Sequence, residues 1–118
     1  MEIIEDNKNL PKEAFFNLSI KNNKELIGNL TLYKHPQDSV GGEVHLEISP
    51  KWQSNWINES LKENLMNRLI NAAYNYKIHT IYGTAITPEH SRLLEFAGFS
   101  EYNVREPKTY YYLMIDGV

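Results

Sequence analysis

A chain of 118 residues that is 42% hydrophobic and 12% aromatic suffices for one globular core but not for a catalytic domain plus a regulatory one, so a single domain over residues 1–118 is expected. Its formal charge of -3 and scattered Lys and Arg exclude the clustered cations on which nucleic-acid binding depends. No apolar run approaches the roughly 20 residues of a membrane span, and the absence of cysteine removes disulfides, thiolate nucleophiles and thiolate metal sites.

The segment Met1 to Glu13 is acidic and lacks the basic and apolar regions of a secretory leader, so a cytoplasmic location is expected. Frequent Asn, Lys and Ile with scarce Arg is the bias of AT-rich codons. It points to a low-GC bacterium or one of its phages, the host cytoplasm or the virion being the location in the second case.

Residues 14–21 alternate, with Phe16, Leu18 and Ile20 on one side and Phe15, Asn17, Ser19 and Lys21 on the other, which predicts a strand. Turn residues follow at Asn22 to Glu25, and alternation resumes with Leu30 and Leu32 opposite Asn29, Thr31 and Tyr33, so the two segments form a hairpin. After a loop over 35–42, a third strand sets Val44, Leu46 and Ile48 against Glu43, His45 and Glu47, and Pro50 ends it. Each of these strands keeps a polar face, which predicts a half-sheet uncovered on one side.

The stretch to Leu61 reads as a strand passing through a sharp loop into a helix, an arrangement that often grips phosphate. Helical spacing runs over 57–76 in Ile57, Leu61, Leu65, Leu69, Ala73 and Tyr76, with Asn55 or Asn58 as N-cap candidates. Residues 78–86 form a strand. Pro88 then opens a short helix that Gly98 terminates, and two final strands carry the Tyr110-Tyr111-Tyr112 run.

These segments resemble the GNAT N-acetyltransferase superfamily over roughly residues 14 to 115. In that family a strand ending in V-x-P leads through a loop R/Q-x-x-G-x-G/A into a helix whose N-terminal amides hold the pyrophosphate of acetyl-CoA. The segment Ile48 to Asn58 follows this frame, with Gln53 at the Arg/Gln position and Trp56 and Asn58 at the two small-residue positions. Thr87 to Phe99 looks like the family's N-x-x-S-x-R-L-L-E-x-x-G-F segment.

The resemblance implies an α/β (α+β) fold, a mixed, mostly antiparallel sheet with one long and one short helix. The family's N-terminal helices are reduced or absent, because only Met1 to Glu13 precede the first predicted strand. It also implies acetyl-CoA as cofactor and no metal. The residues that would hold it are Leu46 and Ile48 on the strand and Gln53, Ser54, Asn55, Trp56, Ile57 and Asn58 in the loop. A glutamate on that strand would deprotonate the acceptor amine, Glu47 being the first candidate and Glu43 the second.

The departures are as informative. Trp56 and Asn58 place bulk where glycines let a phosphate approach the backbone, and the short helix has Leu94 and Phe96 but no tyrosine to protonate a leaving thiolate; Tyr82 and Tyr102 are its distant substitutes. The expectation is therefore a GNAT-like domain with a degraded acetyl-CoA loop, weak or inactive in catalysis. It would act as a protein-binding or assembly module with a protein partner or as a homo-oligomer, docking through the polar face or Trp52 and Trp56. The alternative is an acetyl-CoA-dependent N-acetyltransferase acting on an amine. For the charged trio Glu43, His45 and Glu47 the plain reading is a solvated sheet face, and His35, His79 and His90 show no ligand spacing.

Overall fold

Alternation in the first half of the chain becomes a run of antiparallel strands in the computed structural model, which describes residues 1–52 and 59–117. The strands are β1 (Glu2–Glu5), β2 (Ala14–Asn22), β3 (Glu25–Lys34), β4 (Gly41–Ile48), β5 (Thr80–Ala85), β6 (Ser100–Arg105) and β7 (Lys108–Met114). They lie side by side in the order β1-β2-β3-β4-β5-β7-β6, with β4 and β5 parallel and the other neighbours antiparallel. A parallel pair needs a crossover. The helix α1 (Glu59–Asn75) supplies it between β4 and β5.

The second helix, α2 (Pro88–Phe96), starts where the Thr87 hydroxyl accepts the His90 amide at 3.3 Å and Pro88 occupies the first turn. It stops before Gly98, whose φ of 96° is one that side-chain-bearing residues rarely adopt. Among the described residues no helix is long and apolar enough to cross a membrane.

Both helices lie on one face of the sheet. Leu61, Leu65, Leu69, Ala72 and Ala73 of α1 are buried and join Phe16, Leu18, Ile20, Leu30, Leu32 and Val44 in one core. On β5 a side chain at Gly83 would run into Leu94 of α2. Tyr111 of β7, its register partner, is 1% exposed and donates its hydroxyl to Glu95 at 3.1 Å.

The opposite face carries the polar alternates of the same strands. Thr31 donates to the Asn17 amide oxygen at 2.8 Å, while Asn29 Oδ1 accepts from Ser19 at 3.1 Å and from Asn17 at 3.3 Å. These side chains partner one another, so the face is less open than its polarity predicts: Ser19 is only 5% exposed.

Two further differences from the sequence reading have local causes. The sheet starts earlier than residue 14, because β1 pairs with β2 from Glu2↔Lys21 to Glu5↔Leu18 and buries Ile3. Phe15 does not share the face of Asn17. An irregularity between Ala14 and Phe16 shifts the register, and the Phe15 ring meets Tyr76 just beyond α1 at 4.8 Å.

At Gly28, β3 and β4 approach so closely that a β-carbon would overlap the Glu47 carbonyl oxygen. That oxygen belongs to paired backbone and cannot turn away. Gly28→Ala is therefore expected to cost about 1–3 kcal/mol as overpacking does, read as a lower urea midpoint at unchanged slope.

Candidate active site

β4 and β5 pair only from Gly41↔Thr80 to Val44↔Gly83. Beyond that point β4 stays with β3 as far as Ile48, while β5 runs on through Thr84 and Ala85 with β7. The sheet therefore forks. A cavity of about 380 Å³ occupies the fork. Its walls are Leu30, Val44 and Leu46 from the sheet, Leu65 and Leu69 from α1, and Leu93 and Leu94 from α2.

Glu43, His45 and Glu47 line the same cavity. Consecutive strand residues point to opposite faces, so a cavity bordered by Val44 and Leu46 and also by Glu43 and His45 passes through the plane of the sheet. One mouth opens between the helices. The other opens on the polar face.

At the polar mouth Glu43 Oε1 lies 2.8 Å from His45 Nε2, with the two side chains 29% and 52% exposed. The pair can pass a proton from a group in the fork to solvent. Glu47 also borders the cavity, but four strand residues beyond Glu43, about 13 Å at the usual rise, and away from the fork's apex. At the helical mouth Lys62 sits 3.0 Å from Glu59 and 4.4 Å from the centre of the Phe96 ring, linking α1 to α2 across the opening.

Of the strand residues assigned to acetyl-CoA, Leu46 lines the cavity. Ile48 packs against the core instead, because β4 beyond Leu46 still lies against β3, where Ile48 opposes Gly28. Gln53, Ser54, Asn55, Trp56, Ile57 and Asn58, and the side chain of Trp52, lie outside the described residues.

Tyr82 and Tyr102, named as substitute proton donors, stand on the polar face. Tyr82 donates to Asp38 Oδ2 at 2.8 Å. This bond, with a second from the Val40 amide, holds the Asp38 carboxyl below the usual carboxylate range, and the same bond, with burial, raises the Tyr82 hydroxyl. Burial and the neighbouring Tyr110 raise Tyr102. Sequence reasoning missed Asp38, which lies in a loop and meets Tyr82 only through the fold. Lys62 was within reach of it, three residues before Leu65 on the same stripe of α1. No group of three His, Cys, Asp or Glu among the described residues could hold a metal ion.

No protein-family model matches the chain, and no curated protein matches it in sequence. Solved structures do match. A ribosomal-protein-S5-alanine acetyltransferase from Vibrio fischeri superposes with a TM-score of 0.69 at 14% identity over 89% of this chain and 63% of its own. A Desulfovibrio desulfuricans protein assigned to the GNAT acetyltransferases gives 0.65 at 14% identity over 85% and 68%. A Vibrio cholerae spermidine N-acetyltransferase, solved with CoA and spermine, gives 0.65 at 19% identity over 88% and 67%. This chain spans about two thirds of the length of these structures. At these identities the likeness is one of fold: the chain has the GNAT acetyltransferase fold.

Proposed function

We propose that this chain transfers an acetyl group from acetyl-CoA to an amine, with the fork as its reaction site. The observation that carries the reading is the cavity that runs through the sheet. An extended ligand arm can enter between the helices against apolar walls, beside the edge of β4 that β5 has left, where backbone groups are placed to pair with amides as in strand addition. The arm of acetyl-CoA is of this kind, and its thioester, when bound, supplies the acyl carbon to the amine. Lys62, near the start of α1 at the helical mouth, lies on the side where its phosphates would sit.

The residues on the polar side complete the reaction. An amine reaching the apex of the fork meets Glu43, which takes the proton released as the new C–N bond forms and the thioester C–S bond breaks, and hands it to solvent through His45; CoA leaves as its thiolate, which takes a proton from solvent. Glu43 is preferred to Glu47 because it stands next to Val44, whose pair with Gly83 is the last before the fork opens.

The test is a melting curve with acetyl-CoA. At 100 times its dissociation constant the ligand adds about 2.7 kcal/mol, a shift of several degrees for a domain of this size. No shift at millimolar concentration would overturn acyl transfer and return Trp56 and Asn58 to the role of blocking the loop.

A second reading, docking of another copy of this chain on the polar sheet face, is favoured by Tyr102, which is 51% exposed on β6 at the sheet edge. Aromatics of this kind are enriched in interface cores. Sedimentation equilibrium is expected to show a dimer that Tyr102→Ala weakens; a monomer at about 100 μM, well above the range of standard-size interfaces, would overturn it.

A further inference from the structure

A second cavity, about 360 Å³, opens on the polar face beside the fork. Its lining includes His35, Asp38, Glu43, Tyr82, Tyr102 and Tyr110, and it shares Glu43 and Thr84 with the first cavity. The two cavities therefore meet at the fork from opposite sides of the sheet.

The fold assembles these rings from four segments. Tyr82 of β5 and Tyr110 and Tyr112 of β7 project from the same face, and Tyr102 is the extra residue where the β6–β7 register shifts between Glu101 and Asn103. That irregularity brings the Tyr102 ring to 6.3 Å from Tyr82, 6.2 Å from Tyr110 and 5.8 Å from Tyr112. His35 closes the other side, 4.4 Å from Tyr82.

Within this aromatic wall stands one rigidly held negative charge. Asp38 accepts the Tyr82 hydroxyl on Oδ2 at 2.8 Å and the Val40 amide on Oδ1 at 3.1 Å. Each oxygen keeps acceptor capacity after these bonds. No lysine or arginine is among the described residues that line the cavity, and His35, which does line it, offsets the charge of Asp38 only when protonated.

Ring faces and carboxylates together select one ligand chemistry, since both attract a positive charge and an alkylated nitrogen adds apolar contact with the rings. An anion would be repelled by Asp38 and Glu43, and a neutral group would gain nothing from either. A nitrogen that is to be acylated must, however, lose its proton, and a site that favours the charged form opposes that loss. The cavity thus suits a nitrogen that stays charged while another nitrogen reacts at the fork.

We infer that this cavity is a binding site for an alkylammonium ion, anchored by Asp38 and walled by Tyr82, Tyr102 and Tyr110, and that it holds the non-reacting charge of a dicationic acceptor. The second clause rests on the acyl-transfer reading. The first does not.

The probe is (3-aminopropyl)trimethylammonium, which carries one acylatable amine and one fixed charge. Its control in the kinetics is 4,4-dimethylpentan-1-amine, of the same shape without that charge; for the binding test, where both primary amines are themselves ammonium ions, the pair is choline and its neutral isostere 3,3-dimethylbutan-1-ol. Calorimetric titration without acetyl-CoA is expected to show the ammonium compound binding about 10-fold tighter or more. Asp38→Asn should remove most of that preference, and Tyr102→Leu, at an exposed ring, should reduce binding about 2- to 5-fold. Equal affinities for the two compounds overturn the inference. So does an unchanged preference in folded Asp38→Asn; if that variant does not fold, an unchanged affinity in Tyr102→Leu decides against it equally.

Kinetics separate the two proposals. Selective binding with no acetylation under acetyl-CoA sinks acyl transfer and supports the ammonium site. Acetylation of both amines at the same kcat/KM sinks the assignment of an acceptor charge to this cavity.

Discussion

Glu43→Gln is expected to lower the rate of amine acetylation by about 10²–10⁴-fold, the range that a positioned general base supplies, with little change in the acetyl-CoA-induced shift in melting temperature. Glutamine keeps the size of the side chain and its contact with His45 but cannot take a proton. Because Glu43 is partly exposed and, among the described residues, its carboxylate pairs with the half-exposed His45, the substitution should leave the fold intact, so lost rate cannot be confused with lost structure. Glu47→Gln serves as the contrast and should stay within about 3-fold of the parent, since that residue lies along the strand from the fork's apex. The reverse pattern would move the base to Glu47 and the reacting nitrogen away from the fork.

The position of Glu43 shows what a sequence of this kind reveals and what it withholds. Its strand was legible, because Val44, Leu46 and Ile48 alternate with Glu43, His45 and Glu47, and the convergence of two of those polar side chains follows from a period of two. The fork was not. It depends on where β4 and β5 stop pairing, and the partners Val44 and Gly83 are far apart in the chain; no local period encodes such a distance. By period alone the two glutamates are equivalent, and only nearness to the loop ranks Glu47 above Glu43 in the sequence.

The same distinction separates the parts of the fold that periodicity predicted from those it missed. Phe16, Leu18 and Ile20 each bury a side chain and so leave a pattern. β1 buries Ile3 and exposes Glu2, Ile4 and Glu5, and a strand held mainly by backbone pairing to β2 leaves almost none. In the tyrosine run a period of two puts rings on both faces, and Tyr111 joins the core and meets Glu95 while Tyr110 and Tyr112 lie against Tyr102. That sorting became visible only once β6 supplied the ring that covers them.

The assignment of the two sheet faces is open to a direct comparison of stabilities. Leu69 is 2% exposed on α1 and is part of the core while also bordering the fork cavity. Leu69→Ala removes three carbons, one methine and two methyls, from that contact and should cost about 2–5 kcal/mol, a large share of the roughly 5–15 kcal/mol that keeps a domain folded. Because the new space joins a cavity already open at two mouths, water can enter it, and the cost should fall toward the lower end of that range. Thr31→Val on the opposite face has the same shape as the parent and loses one bond, from the hydroxyl to Asn17 Oδ1 at 2.8 Å. Asn17 is only half-buried, so solvent can replace the donor and the loss should stay within about 1 kcal/mol. Urea midpoints measured side by side should therefore place Leu69→Ala well below Thr31→Val. If Thr31→Val proves the more damaging, the polar ladder is sealed from water in the folded chain, and neither an acceptor nor a second copy can approach the sheet from that side.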